Sequence, residues 1–232
     1  MKIVSIAIAS ALVLTTVNVW AASGREDSIE RLQMATDVLH SVQGTPDRGI
    51  PDSVLNAAKC IVVVPNLVKG GFIFGAKHGR GIATCRTADG WSAPAFISIG
   101  GGSWGLQIGV QEVDLVMLVM NDRGLQHLLS SKFELSGEGA VAAGPVGRQA
   151  VAGTDWTLNA EVLSYSRTRG IFAGLTLEGA VVEPDNDSTF AIYDHEPAFR
   201  GVLSGKVATP ATADVFLKEV NHISMQAHED AK

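Results

Sequence analysis

The chain has 232 residues, a formal net charge of −6 and 46% hydrophobic residues, enough for one domain of ordinary size with its own core. An acidic balance with no basic tract excludes nucleic acid as a partner, because that affinity comes from neutralising phosphates with Lys and Arg. It also argues against nonspecific adsorption to anionic lipid.

The first element in the chain reads as an export signal. Lys2 is followed by an uncharged run from Ile3 to Val19, too short and too rich in Ala, Ser and Thr for a membrane span. Val19-Trp20-Ala21 then sets small residues at the −3 and −1 positions of a signal peptidase site. The expectation is a signal peptide over 1–21, cut after Ala21, and a single mature domain over 22–232. An uncleaved anchor helix is the alternative, and no basic stop-transfer flank supports it. Losing Lys2 takes the formal charge from −6 to −7. The expected location is outside the cytoplasm, in a periplasm or beyond it. There, the even pair Cys60 and Cys85 predicts a disulfide, with two buried thiols as the alternative, provided their strands come close enough to bridge.

Residues 26–43 place Ile29, Leu32, Ala35, Leu39 and Val42 on one helical face, with Glu30, Arg31, Asp37 and Ser41 elsewhere. A shorter helix follows Pro51, with Asp52 or Ser53 to cap it. Cys60–Pro65 is a β-branched run expected as a buried strand. Phe72–Lys77 and Gly81–Arg86 read as strands around a tight hairpin at His78-Gly79-Arg80. Strands continue at Ala93–Ile99, Ser103–Gln111 and Val113–Val119, separated by Gly100-Gly101-Gly102 and Gln111-Glu112. A helix capped by Asn121 or Asp122 comes next. Further strands are expected at 133–136, 139–146, 156–166 and 171–182, then a helical turn at 188–193 and a closing helix over 210–227. Strands in the centre and helices at the ends predict an α+β fold. Internal glycines in the strands suggest a strongly curved, mostly antiparallel sheet or half-barrel packed by the terminal helices.

Gly101-Gly102-Ser103-Trp104-Gly105 matches the pattern of a hydrolase nucleophile elbow, which needs a sharp strand-to-helix turn. The residues after it alternate like a strand, so it reads as a glycine-rich connection and no catalytic residue is assigned. Gly100–Gly102 lacks the lysine and following helix of a phosphate loop. The six histidines show no ligand spacing, so neither a metal nor a cofactor is expected. Glu134, Glu138, Glu161 and Glu178 are isolated carboxylates, best read as solvated.

Lys59, Lys69, Lys77, His78, Arg80 and Arg86 fall within 28 positions that hold no acidic residue. If residues 60–86 form adjacent strands, these cations can converge and attract a phosphate head group or an acidic partner. Simple solvation of strand ends is the other reading. Phe72, Ile73, Phe74 and Trp91 would add apolar contact or pack in the core.

The central stretches AKCIVVVPNLVKGGFIFGAKHGRGIATCR, GWSAPAFISIGGGSWGLQIGVQEVDLVMLVMNDRG, AAGPVGRQA and SYSRTRGIFAGLTLEGAVV resemble successive signatures of the SYLF domain, in order, over roughly residues 30–205. The resemblance implies an α+β lipid-binding domain without catalysis. It carries associations with phosphoinositides and, in yeast-type members, with actin. Two departures bear on the ligand. The helix over 26–43 carries Glu26, Asp27, Glu30 and Asp37 against Arg31, which suits a core-packed helix better than an anionic bilayer. An exported chain would meet an ordinary anionic phospholipid or another envelope amphiphile in place of actin or phosphoinositides. The expected contacts are Lys69, Lys77, His78, Arg80 and Arg86, with the membrane as peripheral partner. A protein-interaction module of the cell envelope is the alternative.

Overall fold

A computed structural model describes residues 24–42, 49–71, 74–104, 109–135, 140–146, 160–168, 171–174, 177 and 179–230. Residues 1–21, expected as a signal peptide, Phe72, Ile73, Gly105, Gly147, Glu138, Glu178 and the first residues of the strand expected at 156–166 lie outside them. Helix α1 spans residues 24–42. It is followed by α2 (Asp52–Ala57), β1 (Cys60–Gly71), β2 (Phe74–Thr87), β3 (Gly90–Trp91), β4 (Ala95–Trp104) and β5 (Gly109–Val119). Then come α3 (Asp122–Leu128), β6 (Phe133–Leu135), β7 (Val141–Ala143), β8 (Val162–Thr168), β9 (Ile171–Gly174) and β10 (Ala180–Pro184). The chain closes with α4 (Asn186–Tyr193), α5 (Phe199–Leu203), a 3-10 turn at Ala211–Ala213 and α6 (Asp214–Asp230).

The fold is α+β, as its segregated elements predicted: a curved sheet forming a nearly closed half-barrel, with helices from both ends of the chain. The strand order is β6-β10-β4-β2-β1-β5-β8-β7, with β3 added to β2 and β9 to β8. Every described pairing is antiparallel except β7 with β8. The β-branched run of β1 lies at the centre, and Ile61, Val62, Val63 and Val64 are all buried. Helix α1 buries Leu32, Ala35, Val38, Leu39 and Val42, and α6 buries Phe216, Val220, Ile223 and Ala227, each a stripe at helical spacing.

Several local expectations need correction. His78-Gly79-Arg80 is no hairpin: β2 runs unbroken through it. Its glycines answer to crowding, because a Cβ on Gly79 would sit 2.7 Å from Val64 Cγ1 and one on Gly81 2.4 Å from the Val63 carbonyl oxygen. Likewise Gly100-Gly101-Gly102 lies within β4, and Gln111-Glu112 within β5. Pro51, with no side-chain cap, occupies the start of α2 where Asp52 or Ser53 was expected. The α3 cap is as read, with Gly124 N–H donating to Asn121 Oδ1 at 3.0 Å. Helix α5 had no sequence signal.

Cys60 and Cys85 are directly opposed in the β1–β2 register and form a disulfide. Both are buried.

Candidate functional site

Side chains alternate between the two faces of a strand, so an unbroken β2 divides the basic residues. Lys77 shares one face with Gly79, Gly81 and Cys85. His78, Arg80 and Arg86 share the other with Ile82, whose β4 partner is Phe96. Helix α1 covers that second face, with the Arg31 guanidinium 5.9 Å from the centre of the Phe96 ring.

On the Lys77 face, strand register does what sequence spacing conceals. The β1–β2 pairing shifts between Val63 and Val68, where Asn66 adopts a φ of 50°. Left-handed backbone of this kind is open to Asn at low cost and marks a bulge. The Asn66 N–H donates to Asp114 Oδ1 at 3.2 Å, while Arg167 Nε donates to Asp114 Oδ2 at 3.0 Å. Continuing the Val63↔Ile82 register without a shift would set Val68 opposite Lys77; the observed partner is Lys69. One added residue therefore turns Lys69 onto the face of Lys77. Ala180, Gly101, Lys77, Lys69 and Gln111 follow one another across β10, β4, β2, β1 and β5.

Lys77 is 8% exposed, whereas Lys69 is half-buried and Gln111 exposed. Burial first, and the neighbouring Lys77 charge second, lower the Lys69 pKa below its ordinary value of 10.5. Adjacent to this pair, Val68 and Val110 lie exposed on the other face. Strand tips here thus combine two ammonium groups with open apolar surface.

The remaining cations have other partners. Arg86 caps the end of α2, donating through Nε to the Ala58 carbonyl at 2.9 Å, and its guanidinium lies 4.5 Å from the centre of the Trp91 ring. Arg80 Nε is 3.8 Å from Asp185 Oδ2, and Lys59 pairs with Asp122 at 2.9 Å. His78 is exposed on the Arg80 face. The structure brings Lys69 and Lys77 together and separates them from His78, Arg80 and Arg86.

Two polar clusters escaped the sequence reading. Asp185, buried at the start of α4, accepts from Arg31 Nη1 at 3.2 Å, from Ser188 Oγ at 2.8 Å and from Ser188 N–H at 3.1 Å. Burial lowers the Arg31 pKa, and Asp185 opposes that shift. Glu161 is buried too, 2.7 Å from His127 Nδ1 and 3.8 Å from Arg123 Nε. Both clusters join residues far apart in the chain, which no local spacing signals. Ser103 lies within β4 opposite Gly75, and the rest of the expected glycine-rich connection, from Gly105 on, lies outside the described residues. Among the described residues, no group of three His, Cys, Asp or Glu side chains is placed to hold a metal ion. No described helix is long and apolar enough to cross a membrane.

The Ysc84 family model, described as "Las17-binding protein actin regulator", matches residues 100–223, more than half of the chain. An SH3 domain-containing protein of Schizosaccharomyces pombe is 38% identical over 176 residues, covering 74% of this chain. The chain belongs to the Ysc84 (SYLF-domain) family. A rat SH3 domain-containing YSC84-like protein 1 is 34% identical over 76% of this chain, and the Saccharomyces cerevisiae protein YSC84 is 31% identical over 74%. The Ysc84-type segment spans 41%, 52% and 37% of those three relatives, so it corresponds to about half of their length or less. The matched region includes the later sheet strands and the α3 to α6 helices, and the longer alignments extend further into the chain.

Proposed function

We propose that this Ysc84-family domain is a noncatalytic module, exported from the cytoplasm, that binds an anionic lipid head group at Lys69 and Lys77. The observation that carries the reading is the bulge-set pairing of two lysines on one face, at strand ends whose opposite face exposes Val68 and Val110. A phosphate between two ammonium groups relieves their repulsion, and each lysine near an anionic surface contributes about 1 kcal/mol. The valines supply the apolar contact of a peripheral membrane protein. The uncharged N-terminal run and the bridged cysteines support the location, since disulfides persist in oxidising compartments.

Co-sedimentation with vesicles tests it. The mature protein should pellet with vesicles containing phosphatidylglycerol, less so as salt rises, and not with phosphatidylcholine alone. Equal, negligible pelleting with both at low salt removes the reading.

The family description names Las17 binding, which favours a second reading as a protein-interaction module. Capture of a stoichiometric protein partner, undiminished by charge reversal at Lys77 and Arg80, would favour that one.

A further inference from the structure

A lysine amine is a nucleophile only when unprotonated, and a neighbouring cation together with partial burial are the two means by which proteins keep one in that form. Both converge on Lys69. Its directly opposed neighbour is Lys77, and opposed side chains in an antiparallel pair have Cβ atoms about 5 Å apart. Lys77 is 8% exposed, so its charge acts through a poorly screening medium. Lys69 itself remains reachable, because the row continues on its other side to exposed Gln111. The depressed pKa of Lys69 agrees with this geometry. Among the described residues no ion pair involves Lys69, in contrast to Lys59 and Lys132, which pair with Asp122 and Glu134.

We propose that Lys69 is a reactive amine that captures small aldehydes as an imine, with Lys77 as the positioning cation that favours its free-base form and draws in aldehydes carrying a negative charge. The Lys69 Nζ lone pair attacks the carbonyl carbon, and the carbonyl π pair moves to oxygen, which takes up a proton. The carbinolamine then loses water, giving the Nζ=C bond, so the step needs neither oxidant nor reductant. The inference rests on the Lys69–Lys77 pair described above but not on lipid being its ligand.

The experiment is reductive trapping of the full mature chain with cyanoborohydride and either acetaldehyde or glyoxylate, followed by peptide mapping of each lysine. Lys69 should be modified at least tenfold faster at pH 7.5 than exposed Lys206, and glyoxylate should show the larger preference for Lys69. The rate at Lys69 should level off at a lower pH than the rate at Lys206. Lys77→Met should cut the Lys69 rate severalfold and move its pH profile upward, while Lys77→Arg should preserve both. Because the wild-type profile needs no variant, a misfolded Lys77→Met leaves the test decisive. Trapping at Lys69 no faster than at Lys206, with either aldehyde, overturns the proposal even where vesicles still bind. Fast trapping without vesicle binding keeps it and removes the lipid reading instead.

Discussion

Arg31 shows how far a residue can depart from its place in a sequence pattern. Its helical position falls outside the apolar stripe of α1, which is why it reads as a surface residue, yet only 6% of it is exposed. Its partner Asp185 lies 154 positions away, beyond anything that periodicity reveals. Replacing Arg31 by Ala removes the closer counter-ion of a buried carboxylate and leaves it Arg80 at 3.8 Å, so the cost should approach but not exceed the roughly 3–5 kcal/mol of a fully broken buried pair. Urea denaturation should show that loss, and Asp185→Asn in the same chain should restore part of it. At Lys69 the charged neighbour, Lys77, is of like sign. A lowered folded-state pKa means that the unfolded chain binds the proton more readily, so stability rises with pH from the lowered value up to the ordinary 10.5 and is lost as pH falls back through that interval. Lys69→Gln should flatten this rise in urea midpoints between pH 7 and 10. A rise unchanged by the substitution would assign it to other groups.

At the scale of elements, what was legible was the periodicity, and what was not was the register. The stripes of α1 and α6, the buried run of β1 and the cap at Asn121 are all local patterns and are found where they were expected. The breaks inside β2, β4 and β5 were misplaced because glycine has two uses in a sheet: it permits turns, and it admits close neighbours. Gly79 and Gly81 serve the second use, which depends on Val63, Val64 and Leu67 across the strand pair. The bulge at Asn66 was only half readable: Pro65 closes the strand expected over Cys60–Pro65, whereas β1 runs through it to Gly71, since proline inside a strand can mark a bulge as well as an end. Yet it decides which basic residues meet. Asn66→Val would force a β-branched residue into left-handed backbone at a cost of about 1–3 kcal/mol. Asn66→Gly should be tolerated within about 1 kcal/mol. Thermal melts of the two variants check the pair of expectations, and equal destabilisation by both would contradict this account of the strand.

For the whole molecule, the disulfide and the sheet act on different terms. The bridge closes a loop with a sequence separation of 25 and stabilises by about 3 kcal/mol, chiefly by restricting the unfolded chain. Cys60→Ser with Cys85→Ser should lower the urea-derived stability by that amount while leaving the half-barrel folded, because the two positions remain opposed register partners inside a buried sheet. Far-ultraviolet circular dichroism of the variant should match the parent, and loss of the strand signal would mean that the bridge holds the register itself. The division of the basic residues between the two faces is sharper than their spacing in the sequence suggested. A cluster of cations in sequence becomes a lysine pair on one face of the sheet and three residues on the other, where Arg86 caps a helix and Arg80 approaches a carboxylate. The proposed lipid head group is received by the lysine pair and not by the whole sequence cluster. The most direct measurement of this is the affinity of the mature protein for phosphatidylglycerol vesicles, compared between Lys69→Gln and Arg80→Gln. Affinity should fall at least fivefold in Lys69→Gln and less than twofold in Arg80→Gln; equal losses, or a larger one at Arg80, would place the head group elsewhere than on the lysine pair.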